Sequence, residues 1–158
     1  MQKISAFLWF DTQAEEAAKF YTSIFKNSRI VETSYYTEAG PGPRGSPMVV
    51  AFEIEGQRFH ALNGGPHFKF NESISFAVDC ENQREVDYFT EMLTAGGGKQ
   101  QPCGWVKDKY GVSWQVVPKE LIAMMNDKDQ SKAARAVKAM LQMTKIDIAT
   151  VKKAFDGR

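Results

Sequence analysis

LWFDTQAEEAAKFYTSIF, residues 8–25, changes its hydrophobic period at Asp11. Before Asp11 the apolar residues run as in a strand; beyond it Ala14, Ala17, Ala18, Tyr21, Ile24 and Phe25 fall at helical spacing on one face. Glu15 and Glu16 occupy the opening turn, where the helix dipole favours acids. Shifting the chain by 68 places lays Asp11 on Asp79 and FYTSIF (20–25) on YFTEML (88–93), with Thr22 on Thr90 and no gap. The second copy therefore also reads as strand then helix, with Val86, Phe89, Met92 and Leu93 as the apolar face and Gly96-Gly97-Gly98 as the stop.

A second match, at a shift of 55, places Gly56 on Gly111, Phe59 on Trp114, His60 on Gln115 and Leu62 on Val117. Both glycines sit in tight turns between strand-like runs, so each half reads strand, helix, then two or three strands. The expected organisation is a first module over 1–62, a Gly- and Pro-containing linker over 63–71, a second module over 72–118 and a helical extension over 119–158, forming one compact domain. In the extension, Ala134, Val137, Met140 and Leu141 make one helical stripe, and Ile148, Val151 and Phe155 another, with Ser131 and Asp147 as caps. The extension docks on its own domain or on a second subunit. EAGPGPRGSP (38–47) is too rich in Gly and Pro for regular structure and reads as a mobile surface loop, either a spacer or a lid.

Composition narrows the partners. Hydrophobic residues are 43% and charged residues 25%, and 20 Lys plus Arg against 19 Asp plus Glu leave a net charge of +1. Such a balance gives no broad field for nucleic acid or anionic lipid. The opening MQKISAFLWFDT resembles neither a signal peptide nor a membrane span, so a cytoplasmic protein is expected. Cys80 and Cys103 form no CxxC pair, which points to two reduced thiols.

Strand alternation sorts the remaining side chains by face. Ala6, Leu8 and Phe10, then Ile74, Phe76 and Val78, suit the side beneath the helices, together with Phe59, Ala61, Trp114 and Val116. Ser5, Phe7, Trp9, Ser73, Ser75 and Ala77 turn the other way, with Arg58, His60, Leu62, Ser113, Gln115 and Val117. Approximate two-fold packing of the halves would then bring His60 and Gln115 together in a cup lined by Phe7, Trp9 and Ser75, apolar with a few convergent polar groups, as small-molecule sites usually are. His60 is a candidate general base, metal ligand or hydrogen-bonded core residue. Cys103 is a candidate nucleophile or a packing residue, Gln115 and Asn63 candidates to orient a carbonyl or hydroxyl, and Trp105 a candidate wall.

The segments LWFDTQAEEAAKFYTSIF, RFHALNGGPHFKFN, CGWVKDKYGVSWQVVP and AVKAMLQMTKIDI, in this order, resemble the PhnB-like group labelled 3-demethylubiquinone-9 3-methyltransferase, within the vicinal oxygen chelate superfamily of glyoxalases and bleomycin-resistance proteins. The resemblance implies an α+β fold of tandem βαβββ modules in a curved mixed sheet, with C-terminal helices, and a homodimer binding a small molecule. In metal-using members it implies four ligand slots, which fall here on His60, Gln115 and positions near Ser5 and Ser73, with Glu72 alongside. That set is incomplete for a divalent metal, which normally takes three good protein ligands. The cofactor is therefore open. A methyltransferase of the Rossmann type would need a glycine-rich turn after its first strand, and DTQAEEA has none. The expectation is an enzyme of unassigned reaction on a small metabolite, or else a protein that sequesters one or a regulatory dimer.

Overall fold

In the computed structural model, which describes residues 2–158, the chain divides after Phe70 into two units. The first contains β1 (Ala6–Phe10), α1 (Ala14–Ile24), β2 (Ser28–Tyr35), β3 (Pro47–Ile54) and β4 (Gln57–Asn63), with strand order β1-β4-β3-β2. The second repeats it as β5 (Ser75–Cys80), α2 (Gln83–Thr94), β6 (Lys99–Gln100), β7 (Trp105–Lys107) and β8 (Ser113–Pro118), ordered β5-β8-β7-β6. Each sheet is mixed: its first strand runs parallel to its fourth, and the other pairs are antiparallel.

The α1 face is the one its spacing predicts, with Ala14, Ala17, Ala18, Tyr21, Ile24 and Phe25 all buried. Small residues in the first turns let the helix approach the sheet, and Tyr21 then stacks on Phe52, which stacks on Phe59 (centroids 6.1 and 5.4 Å). Each such buried ring contributes about 2 to 3 kcal/mol by area. The β3–β4 hairpin turns through Glu55 and Gly56, both at positive φ (49° and 79°), the geometry that matches the twist of a two-residue hairpin.

In the second unit the helical face is shifted by one position. Val86, Thr90 and Leu93 are buried, while Phe89 and Met92 are half-buried. Asn82 caps α2 by accepting the Glu85 amide, and Glu85 reaches back to the Glu81 amide. Ile74, expected beneath the helix, is instead 72% exposed, because it precedes the first paired residue of β5. Register explains the position of Ile74. Ala6 pairs with Phe59 and Phe76 with Trp114, so the first strands of the two modules correspond at a displacement of 70, not 68. The even difference of two leaves every strand side chain on its assigned face.

The second hairpin is longer than the first and is built around a carboxylate. Asp108, 3% exposed, accepts the Tyr110 and Val112 amides on Oδ1 (2.9 and 3.0 Å) and the Trp114 indole N–H on Oδ2 (3.0 Å). The loop at 38–47 is likewise organised from within. Gly40 and Gly42 lie against the buried Tyr36 ring, where an added Cβ would come within 2.6 and 2.3 Å, and the Tyr36 hydroxyl donates to the Asn63 carbonyl. Arg44 pairs with Glu38 across the same loop. This packing is that of a self-closed Ω-loop and not of a free lid.

The extension forms α3 (Lys119–Met125), α4 (Gln130–Met140) and α5 (Ile148–Asp156). Asp147 caps α5 as expected, but Asp129, not Ser131, caps α4, because its carboxylate accepts the Ser131 and Lys132 amides. The buried α4 stripe is Ala133 and Ala136; Ala134 and Leu141 face outward. The extension docks on its own unit: the Gln83 amide donates to Ile146 O and accepts from Ile148 N, both at 2.9 Å, and Lys145 pairs with Asp87. Among the described residues no helix is long and apolar enough to cross a membrane.

Asp108→Asn tests the second hairpin. An amide in either orientation sets a donor against a buried donor, so the variant is expected to lose about 2 to 3 kcal/mol of stability in urea unfolding. An unchanged midpoint would mean that the three bonds contribute nothing net.

Candidate functional site

The side of each sheet turned away from its helix collects the candidate residues. In the first unit, His60 lies across β1 and β4 from Phe7, which stacks flat on its imidazole at 4.9 Å and 12°. Ser5, just before β1, brings its Oγ within 3.2 Å of His60 Nδ1. Ala51 flanks His60 on β3. Phe7 is 57% exposed, so one edge of this cluster is open.

The second unit repeats the pattern with different side chains. Gln115 takes the place of His60 and donates from Nε2 to Ser75 Oγ at 2.9 Å. Its neighbours across the sheet are Trp105 on β7 and Ala77 on β5. The aromatic and the alanine have thus changed sides between modules: Phe7 and Ala51 flank His60, Ala77 and Trp105 flank Gln115.

Charges in the adjoining rows are matched. Arg29 and Arg58 bracket Glu53 at 3.0 and 3.2 Å, and the Arg58 guanidinium, followed by that of Arg29, holds the Glu53 carboxyl below the usual carboxylate range. In the second unit Lys107 pairs with Glu72 and lowers that carboxyl in the same way. Ser113, between Lys107 and Ser75 in register, is 1% exposed, and its hydroxyl has no hydrogen-bond partner.

The remaining candidates have partners of their own. Asn63 has no free amide: Oδ1 accepts the Ala14 amide at the start of α1 (2.8 Å), and Nδ2 donates to Pro47 O (3.0 Å). It is a fold residue whose position after the last apolar β4 residue gives no hint of the helix it caps. Trp9 donates to Gly65 O at 2.9 Å and lies under Gly64, with Phe68 edge-on, so the 64–68 segment covers part of its ring. Cys103 sits at φ 64° in a short helical turn, where its amide and that of Gly104 donate to Met143 O and Thr144 O. Through these backbone bonds the turn anchors the extension.

The first-strand positions that face His60 and Gln115 are Ser5 and Ser75. Ser73, the expected second slot, lies before β5 and bonds Asn71 through both its amide and its hydroxyl. The four positions therefore carry two hydroxyls, one imidazole and one amide. Among the described residues no group of three or more His, Cys, Asp or Glu gathers to hold a metal ion. Within either unit the pair, a hydroxyl with one imidazole or one amide, does not fit a divalent cation, which is held by carboxylate, thiolate and imidazole groups in greater number.

Two βαβββ sheets of this order, each with a central fourth strand aimed at one face, define the vicinal oxygen chelate superfamily, the glyoxalase and bleomycin-resistance fold. Within it the chain belongs to the family described as 3-demethylubiquinone-9 3-methyltransferase, which it matches over residues 2–117. The PhnB protein from Bacillus cereus is 38% identical, with a TM-score of 0.67 over 74% of this chain and 99% of that one. Protein PA1353 from Pseudomonas aeruginosa (17%, TM-score 0.61, 75% and 98%) and the fosfomycin resistance protein FosX from Mesorhizobium loti (15%, 0.50, 72% and 90%) share the fold. No curated protein matches the chain. The methyltransferase in the family's description has no Rossmann-type counterpart here: each sheet has a single parallel pair, and β1 enters α1 through Asp11-Thr12-Gln13.

Cys80 is buried and Cys103 half-buried. Burial, reinforced by Glu85 and Asp79, pushes the Cys80 thiol up to about 12, so it stays neutral and shielded. In the native protein at pH 8, iodoacetamide is expected to leave Cys80 unlabelled until urea unfolds the chain, as read by peptide mass spectrometry. Native labelling of Cys80 at the rate of the unfolded chain would contradict the packing of β5.

Proposed function

We propose that this protein binds a small, flat metabolite on the faces that carry His60 and Gln115 and acts on it as an enzyme. The observation that carries this reading is the repetition, in both modules, of one polar side chain held by a serine and flanked by an exposed or half-buried aromatic ring. A structural protein has no need to keep a serine-held polar side chain at the centre of both sheets, away from the helices. Aromatic rings supply contact area with few rotors, and a fixed amide or imidazole supplies orientation. In this reading His60 is the acid/base group, Gln115 and Ser75 orient the substrate, and Phe7 and Trp105 are walls. Sequestration without turnover is the second reading, favoured by the incomplete set of metal donors.

A protein-observed NMR screen of phenols and aromatic amides tests it. Fragments are expected to bind and to shift the Trp105 indole resonance, with affinity reduced about tenfold in His60→Ala or Gln115→Ala, the loss of one good hydrogen bond. Binding that neither variant alters would remove these faces from the function. Fragments converted by the native protein and not by His60→Ala support the enzyme; fragments recovered unchanged from both support sequestration.

A further inference from the structure

The repeat places Ser5 and Ser75 in corresponding positions. Ala6 and Phe76 correspond through their partners Phe59 and Trp114, so the residue before Ala6 corresponds to the residue before Phe76. His60 and Gln115 correspond in the same frame. The two modules therefore contain one hydrogen bond twice, Ser5 Oγ to His60 Nδ1 at 3.2 Å and Ser75 Oγ to Gln115 Nε2 at 2.9 Å, although the polar partner has changed from imidazole to amide. Two unlike side chains that reach the same hydroxyl share a constraint that neither residue type imposes alone.

In the second module the Gln115 NH2 faces Ser75 Oγ, and an NH2 donates. Gln115 gives a proton to Ser75 Oγ and keeps its carbonyl oxygen as a free acceptor. We propose that Ser5 is a positioning residue that imposes the same direction on His60: Nδ1–H donates to Ser5 Oγ, and Nε2 is left with its lone pair as the outward acceptor. Phe7, stacked on the ring at 4.9 Å, fixes the plane in which that lone pair points. The neutral histidine side chain in water favours the opposite tautomer, with the proton on Nε2, so Ser5 works against the intrinsic preference. Each module then offers one acceptor, Nε2 of His60 and Oε1 of Gln115, and the flanking cations Arg58 and Lys107 are already paired with Glu53 and Glu72. This pattern selects an uncharged ligand bearing N–H or O–H donors and disfavours carboxylates and phosphates, whose lone pairs would face lone pairs. The inference on ligand class rests on the small-molecule reading above; the inference on His60 does not.

The chain has two histidines, His60 and His67, so imidazole nitrogen spectra are assignable with a single His67→Gln control. Long-range proton–nitrogen correlation at a pH where His60 is neutral is expected to show it mainly as the Nδ1–H tautomer. Ser5→Ala should return it to Nε2–H, and Ser5→Thr should restore Nδ1–H, with the backbone amide spectrum otherwise unchanged because Ser5 is exposed. A wild-type Nε2–H tautomer or an unchanged spectrum in Ser5→Ala would each overturn the proposal. Either of these results would leave the fragment screen to decide small-molecule binding separately. If the tautomer is as stated, fragments bearing only carboxylate or phosphate are expected to bind at least tenfold more weakly than phenols of the same size, and equal binding would remove the ligand class.

Discussion

The parallel pairing of the first strand of each module with its fourth determines where the candidate residues meet. Residues at opposite ends of a module, Ser5 and His60 or Ser75 and Gln115, become neighbours only through this pairing, because the two intervening strands stack outward on the far side of the fourth. A parallel pair needs a long crossover, and here helix and hairpin together form it. The helix covers one face of the sheet, which leaves the polar centre of the fourth strand on the other. The fold thus supplies both a packed side and a chemically addressable side from the same alternation.

Much of this was legible from periodicity. Every residue assigned to the α1 face is buried, and Phe59, Ala61, Trp114 and Val116 lie under the helices as alternation required. The failures have identifiable causes. A gapless match hid the shorter connection between β5 and α2, so Ser73 stood in for Ser75; only strand pairing reveals the offset. The α4 stripe was misplaced by one residue because alanines occupy 133, 134, 136 and 139, which leaves helical phase poorly marked. Asn63 and Asp108 are polar residues whose roles depend on amides far from them in space or hidden in a turn, and residue type alone does not report a partner.

Family membership and chemistry separate cleanly in this chain. The fold is shared with proteins described as PhnB and as FosX, yet the positions that the resemblance made candidate metal ligands hold hydroxyl, imidazole and amide groups, bonded in pairs within each module. A scaffold keeps its geometry when its site changes, since packing depends on the buried face and chemistry on the other. The family's description as a methyltransferase therefore carries no mechanism to residues of this chain.

The loop at 38–47 has a consequence beyond its shape. Its glycines grip Tyr36, the Tyr36 hydroxyl holds the carbonyl of Asn63, and the Asn63 side chain holds the first turn of α1. A surface segment that by composition resembles a tolerant spacer is mechanically in series with the helix and with the end of β4, two residues from Ala61 and three from His60. Sequence drift at Gly40 or Gly42 is thus constrained as strictly as drift in the interior, and an evolutionary record of this loop would look like that of a core segment.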